Sequence, residues 1–69
     1  MYQYYYVNKN EQPNGDHEVH TGSCIYLPNT ENRLFLGFFE NCTAALVEAK
    51  KTYPKADGCF HCSRECHTS

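Results

Sequence analysis

Two short strings in this chain carry the residue types that hold soft metal ions, and they stand well apart in sequence. The first is Gly58-Cys59-Phe60-His61-Cys62. A C-x-x-C turn points two thiolates at one spot, which is what a tetrahedral metal ion requires. The second is His20-Thr21-Gly22-Ser23-Cys24, whose Thr-Gly-Ser spacer is small and flexible enough to fold both flanking side chains inward. Two pairs make four ligands, the number found in closed structural zinc sites. The chemistry expected is therefore Zn2+ binding, with the ion acting as a staple.

Other ligand-type residues have competing uses. In "HEVH" the side chains alternate, so His17 and His20 face opposite ways, and His20 is the one placed to share a site with Cys24. Cys42 falls on the apolar stripe of a predicted helix and reads as a small core residue. The tail "SRECHTS" holds Cys66 and His67; if Ser63 caps a last helical turn, Cys66 lands on the same side as Cys62. Two tetrahedral sets follow. One is His20, Cys24, Cys59 and Cys62, and the other replaces His20 by Cys66 to give four thiolates.

Two other functions use the same residues. A thiol redox or metal-sensing protein could pair the C-x-x-C motif with Cys66 as a resolving thiol, although the βαβ context of a thioredoxin-like motif is missing. A hydrolytic zinc enzyme needs three protein ligands, a water and a general base, and only Glu18 and Glu65 lie near the proposed ligands. A closed set of four leaves no position for that water, so no catalysis is expected.

Length and composition frame these readings. With 69 residues there is room for one small domain, spanning 1–69, whose core is modest enough to need a staple. Six Lys plus Arg against eight Asp plus Glu give a net charge of −2, and no basic cluster exceeds Lys50-Lys51 with Lys55, which argues against a general nucleic-acid binder. No run approaches the roughly 20 apolar residues of a membrane span. Five cysteines is an odd count, and no apolar signal segment precedes them, so the expected compartment is the cytoplasm.

The elements that must position the ligands can be read in order. "YQYYYV" is aromatic and β-prone, with Tyr2, Tyr4 and Tyr6 on one face and Gln3, Tyr5 and Val7 on the other; neither face is plainly polar, so the strand is expected to be covered on both sides. "PNGD" carries the Asn-Gly signal for a reversal, and "HEVH" follows as a second strand antiparallel to the first. Ile25 and Leu27 are expected inside. "LFLGFF" reads as a central strand, apolar on both faces, with Leu34, Leu36 and Phe38 sharing one face and Gly37 marking a close approach by a ring or another backbone. Asn41 is an N-cap for a helix over about 41–52, with Cys42, Ala45, Leu46, Ala49 and Tyr53 on its apolar side and Pro54 ending it. The fold class expected is α+β: a small antiparallel sheet of about three strands, one main helix packed on it, and a C-terminal zinc knuckle.

These landmarks together resemble the Ada-type metal-binding domain. The shared features are an aromatic "YYV" strand, the pair in "HTGSC", the strand "ENRLFL", an alanine-bearing helix and the terminal "GCFHC", covering Tyr4 to Cys62. The resemblance implies a zinc ion held by His20 and Cys24 from the first pair and Cys59 and Cys62 from the second, and it favours His20 over Cys66 as the fourth ligand. Two departures bear on function. The DNA-repair member of that family uses the first cysteine of the first pair as a methyl acceptor, and His20 occupies that place here, so methyl transfer is not expected. The helix is longer and the tail extends past the family pattern. What remains is a structural zinc module that contacts a protein partner through tyrosines and phenylalanines left at its surface, namely those of Tyr2, Tyr4, Tyr5, Tyr6, Tyr26 and Phe60 that the core does not bury.

Overall fold

A computed structural model describes residues 1–68. Four strands and one helix occur in the order β1 (Gln3–Asn8), β2 (His17–Thr21), β3 (Arg33–Phe39), α1 (Cys42–Lys50) and β4 (Ala56–Gly58), with short 3-10 turns at Thr30–Asn32 and Arg64–Cys66. The sheet runs β3-β1-β2-β4. β1 pairs antiparallel with β2 and with β3, whereas β2 and β4 are parallel. The class is thus α+β, but the sheet is mixed and has one strand more than the sequence reading expects.

The added strand is β4. Its residues Ala56, Asp57 and Gly58 have low strand propensity and sit in what reads as a turn, yet all three are buried and in register with His17, Glu18 and Val19. Pairing with a strand already in place overrides local preference. β4 then delivers Cys59, whose amide donates to the Val19 carbonyl at 2.9 Å and extends the parallel ladder by one residue.

The hairpin between β1 and β2 forms as expected. Gly15 takes a φ of +91°, and the Asn14 side chain accepts from the Asp16 amide at 3.0 Å, an Asx turn that reverses the chain. α1 begins where predicted, with the Asn41 side-chain oxygen accepting from the Ala44 amide at 3.0 Å. It ends at Lys50, two residues short of the expected boundary. Cys42, Ala45 and Ala49 are buried against Tyr5, Val7 and Val19 of the sheet, with Leu34, Leu36, Phe39, Leu46 and Tyr53 packed around them.

Three packing expectations are overturned. "LFLGFF" is an edge strand, and β1 is interior to the sheet. The face of "LFLGFF" away from the helix is apolar because Phe35 and Phe38 pack on Tyr2, just before β1, and on Tyr4 and Tyr6 of β1, making a cross-strand aromatic layer with no second layer over it among the described residues. Tyr2, Tyr4, Phe35 and Phe38 are accordingly exposed, so β1 is covered by packed structure on one face. Second, Leu34, Leu36 and Phe38 do not share a face: the register shifts at a bulge, Tyr5 opposing Gly37 while Tyr6 opposes Phe35, so Leu36 is the extra residue. Beyond it the alternation is reset, Phe38 turns outward and Phe39 turns in toward Tyr5. The ring of Phe39 lies 3.0 Å from where a Gly37 Cβ would stand, which is the close approach expected there. Third, Ile25 is 87% exposed, because the Cys24–Leu27 turn carries it away from the core.

The tail is tied down by two contacts. Cys66 forms a disulfide with Cys42, joining the C-terminal turn to the first residue of α1. The His67 ring donates from Nδ1 to the Gly58 carbonyl at 3.0 Å, and Thr68 donates from its amide and hydroxyl to the Asp57 carboxylate. Gly58 is required under this crossing for space: a Cβ there would lie 2.5 Å from the Ser63 carbonyl oxygen and 2.7 Å from Cys66 Cβ. Gly58→Ala is expected to lower stability by about 1–3 kcal/mol, the range for overpacking a tight site, read as a lower thermal midpoint. An unchanged midpoint would show that the tail does not cross there.

Candidate metal centre

The two ligand pairs arrive from different parts of the fold. His20 is the penultimate residue of β2, and Thr21-Gly22-Ser23 turns the chain so that Cys24 comes back over the strand end, with the Cys24 amide donating to the Thr21 carbonyl at 3.2 Å. Gly22 lies against Tyr4 and Tyr6, and a Cβ added there would stand 3.3 Å from the Tyr6 ring, a tight contact where the spacer leaves the strand. Cys59 and Cys62 flank the turn after β4, closed by the Ser63 amide donating to the Cys59 carbonyl at 2.9 Å. Parallel pairing of β2 with β4 sets the two turns side by side.

The ligand atoms of His20, Cys24, Cys59 and Cys62 all lie within 4.8 Å of one another. Cys24 Sγ is 4.0 Å from Cys59 Sγ, and Cys62 Sγ is 3.9 Å from His20 Nδ1. Bond lengths of about 2.3 Å to sulfur and about 2.0 Å to imidazole nitrogen give tetrahedral edges of roughly 3.8 and 3.5 Å. These two pairs match the ideal edges to within a few tenths of an ångström, and the widest pairs, at up to 4.8 Å, would close by about 1 Å around an ion of this size. His20 and Cys59 are buried and Cys24 and Cys62 half-buried.

Each sulfur also accepts a backbone amide. Tyr26 donates to Cys24 at 3.4 Å and His61 to Cys59 at 3.4 Å, the same two-residue step in both turns, while Thr21 donates to Cys62 at 3.3 Å and so links the two halves. Hydrogen bonds to sulfur favour its ionised form. Burial opposes them: it pushes the Cys24 thiol up to about 12 and raises that of Cys59 as well. Burial acts on Cys62 too, but the contacts with His20, the Thr21 amide, Cys24 and Ser63 outweigh it and bring that thiol down to about 6. Three sulfurs this close cannot all carry charge unaided, and a bound cation would supply the compensating charge.

The remaining candidates lie elsewhere. Cys66, the alternative fourth ligand, has its sulfur committed to Cys42, so the four-thiolate set is not assembled. The 3-10 turn at Arg64–Cys66 directs it to the helix, and Ser63 makes no side-chain cap. Cys42 is buried in the core as expected, with a disulfide in addition. His17 donates from Nδ1 to the Asn8 carbonyl at 2.9 Å and stacks on Tyr53. His61 is exposed beside Tyr26 and Phe60. The five cysteines thus divide into three in the cluster and two in the disulfide, and their odd number does not argue against a disulfide. Cys66 is expected as a fourth ligand or as a resolving thiol for the C-x-x-C pair, whereas its pairing with Cys42 depends on a contact across the chain that local spacing does not show.

Compared with models of protein families, with curated proteins and with solved structures, the chain matches none. The Ada-type resemblance therefore rests on the order of its landmarks.

Proposed function

We propose that this domain is a structural zinc module of Ada-like ligand order, in which His20, Cys24, Cys59 and Cys62 hold one Zn2+ and the domain meets a protein partner without catalysis of its own. The observation that carries the reading is the convergence of these four donors within 4.8 Å, two from each of two turns. Three thiolates and an imidazole suit zinc, and oxygen-seeking ions such as calcium and magnesium are poorly served by this set. Four protein ligands complete a tetrahedron, which leaves no open position for an activated water. In this reading the turn after β4, carrying Cys59 and Cys62, would serve as the C-terminal zinc knuckle.

The exposed aromatic layer of Tyr2, Tyr4, Phe35 and Phe38, with Tyr26 and Phe60 near the metal turns, is the surface we assign to the protein contact. Arg33 lies over the Tyr6 ring and Arg64 over Phe60, and it is the net charge of −2 that favours a partner other than nucleic acid. A second reading, metal or redox sensing, is favoured by the Cys62 thiol at about 6, a value found in reactive cysteines. It loses its resolving thiol, since Cys66 is paired with Cys42. On compartment, a closed disulfide and the cytoplasmic expectation pull in opposite directions, because cytosolic thiol systems keep most such pairs reduced.

Metal analysis of the purified protein should find one zinc per chain. Cobalt substitution should give a tetrahedral visible spectrum with charge-transfer intensity matching three thiolates. His20→Ala should weaken binding by more than about 100-fold, beyond the usual cost of losing an outer contact. A metal-free folded protein, or a four-thiolate cobalt spectrum, would contradict the assignment.

A further inference from the structure

The two ring nitrogens of His20 have different surroundings. Nδ1 faces the cluster, 3.9 Å from Cys62 Sγ. Nε2 is buried without a hydrogen-bond partner, the one such side-chain nitrogen or oxygen among the described residues. Its nearest charged neighbour is Glu18, whose Oε1 lies 3.7 Å away. His20 is 1% exposed and Glu18 24%, so the ring is inside and the glutamate side chain reaches water.

A metal ion takes the lone pair of Nδ1, which leaves the proton of the neutral ring on Nε2. That N–H is then a buried donor and needs an acceptor. On a strand, residues two apart share a face, so the Glu-Val-His order places Glu18 beside His20 whatever the loops do. A charge-assisted bond here would be about 2.8 Å long, within reach of a Glu side-chain rotation. The sheet supplies no other reason for a carboxylate at this place: Glu18 is in register with Asp57 of β4, a like charge.

We infer that Glu18 is a positioning residue for the metal centre, accepting the His20 Nε2 proton so that Nδ1 is the nitrogen presented to the ion. The inference rests on the zinc reading above and adds to it a tautomer, a ring orientation and the residue that sets both. Outer-shell carboxylates on metal-bound histidines typically contribute 10–100-fold to affinity.

The test begins with zinc-loaded wild-type protein. Its 15N spectrum should show the metal on Nδ1 of His20 and a slowly exchanging proton on Nε2. Glu18→Ala should weaken zinc binding by about 10–100-fold in chelator competition and speed exchange of the Nε2 proton, with the backbone fold of the loaded protein unchanged. Glu18→Gln keeps an acceptor oxygen and should recover most of the loss. A carboxylate that mattered only for the sheet would not move the Nε2 signal. Glu18→Ala affinity within threefold of wild type, or metal on Nε2, overturns the inference while leaving the zinc site standing. Wild-type protein that takes up no zinc fails at the first step and removes both.

Discussion

Stripping the metal with a strong chelator is expected to abolish the single cooperative unfolding transition of this domain, together with its near-ultraviolet circular dichroism. The core explains the size of the effect. Of its nine buried apolar residues, three are alanines and three are cysteines, leaving Tyr5, Val7 and Val19 as the large side chains fully inside. Burial of a large apolar side chain contributes roughly 1.5–3 kcal/mol, against about 10–16 kcal/mol for a structural zinc ion in small domains. Without the ion, the buried thiols of the cluster become costs. Acid should act in the same direction. The Cys62 thiol is held at about 6 in the fold against an ordinary 9.0, so its ionisation favours the folded chain fully above pH 9, less as pH falls from 9 to 6, and no longer below that. Protonation of all three sulfurs releases the ion as well. A chelated protein with an unchanged melting profile would contradict this account.

Removing the disulfide should produce the second-largest loss, and one that leaves the metal in place. Cys42 and Cys66 are 24 residues apart, a loop for which the chain-entropy relation gives about 3.5 kcal/mol. In a domain of this size that corresponds to a fall in thermal midpoint on the order of 15–25 °C. The double change Cys42→Ser with Cys66→Ser avoids a lone reactive thiol and should still load one zinc. The same experiment decides between the two ligand sets, because a Cys66→Ser protein that loses zinc while His20→Ala keeps it would reinstate the four-thiolate site. Thiol titration of the denatured, zinc-stripped protein should count three free thiols before reduction and five after. Five before reduction would mean an open pair and would support the cytoplasmic reading.

What the sequence determined by itself is what depends on neighbours a few residues away. The H-x-x-x-C and C-x-x-C spacings set each pair of ligands on its own turn. Asn41 and the alanine stripe set the helix, Asn14-Gly15 the reversal, and alternation in "HEVH" put His20 and not His17 toward the cluster. Gly37 announced a close approach, and Phe39 makes it.

Tertiary structure decided the questions whose answers lie across the chain. "LFLGFF" suits an interior or an edge strand equally well, and it became an edge because "YQYYYV" bonds on both sides. A one-residue bulge at Leu36 and Gly37 then reversed which rings face inward, a shift invisible to alternation since it depends on the partner's register. Ala56–Gly58 became a strand because β2 offered an unpaired edge. Cysteine connectivity is likewise open in sequence: Cys66 stands four residues from Cys62, yet the 3-10 turn sends it to the helix. With a single helix to cover one face of a four-stranded sheet, the aromatic residues of the other face were left at the surface, and only the folded chain shows them gathered there.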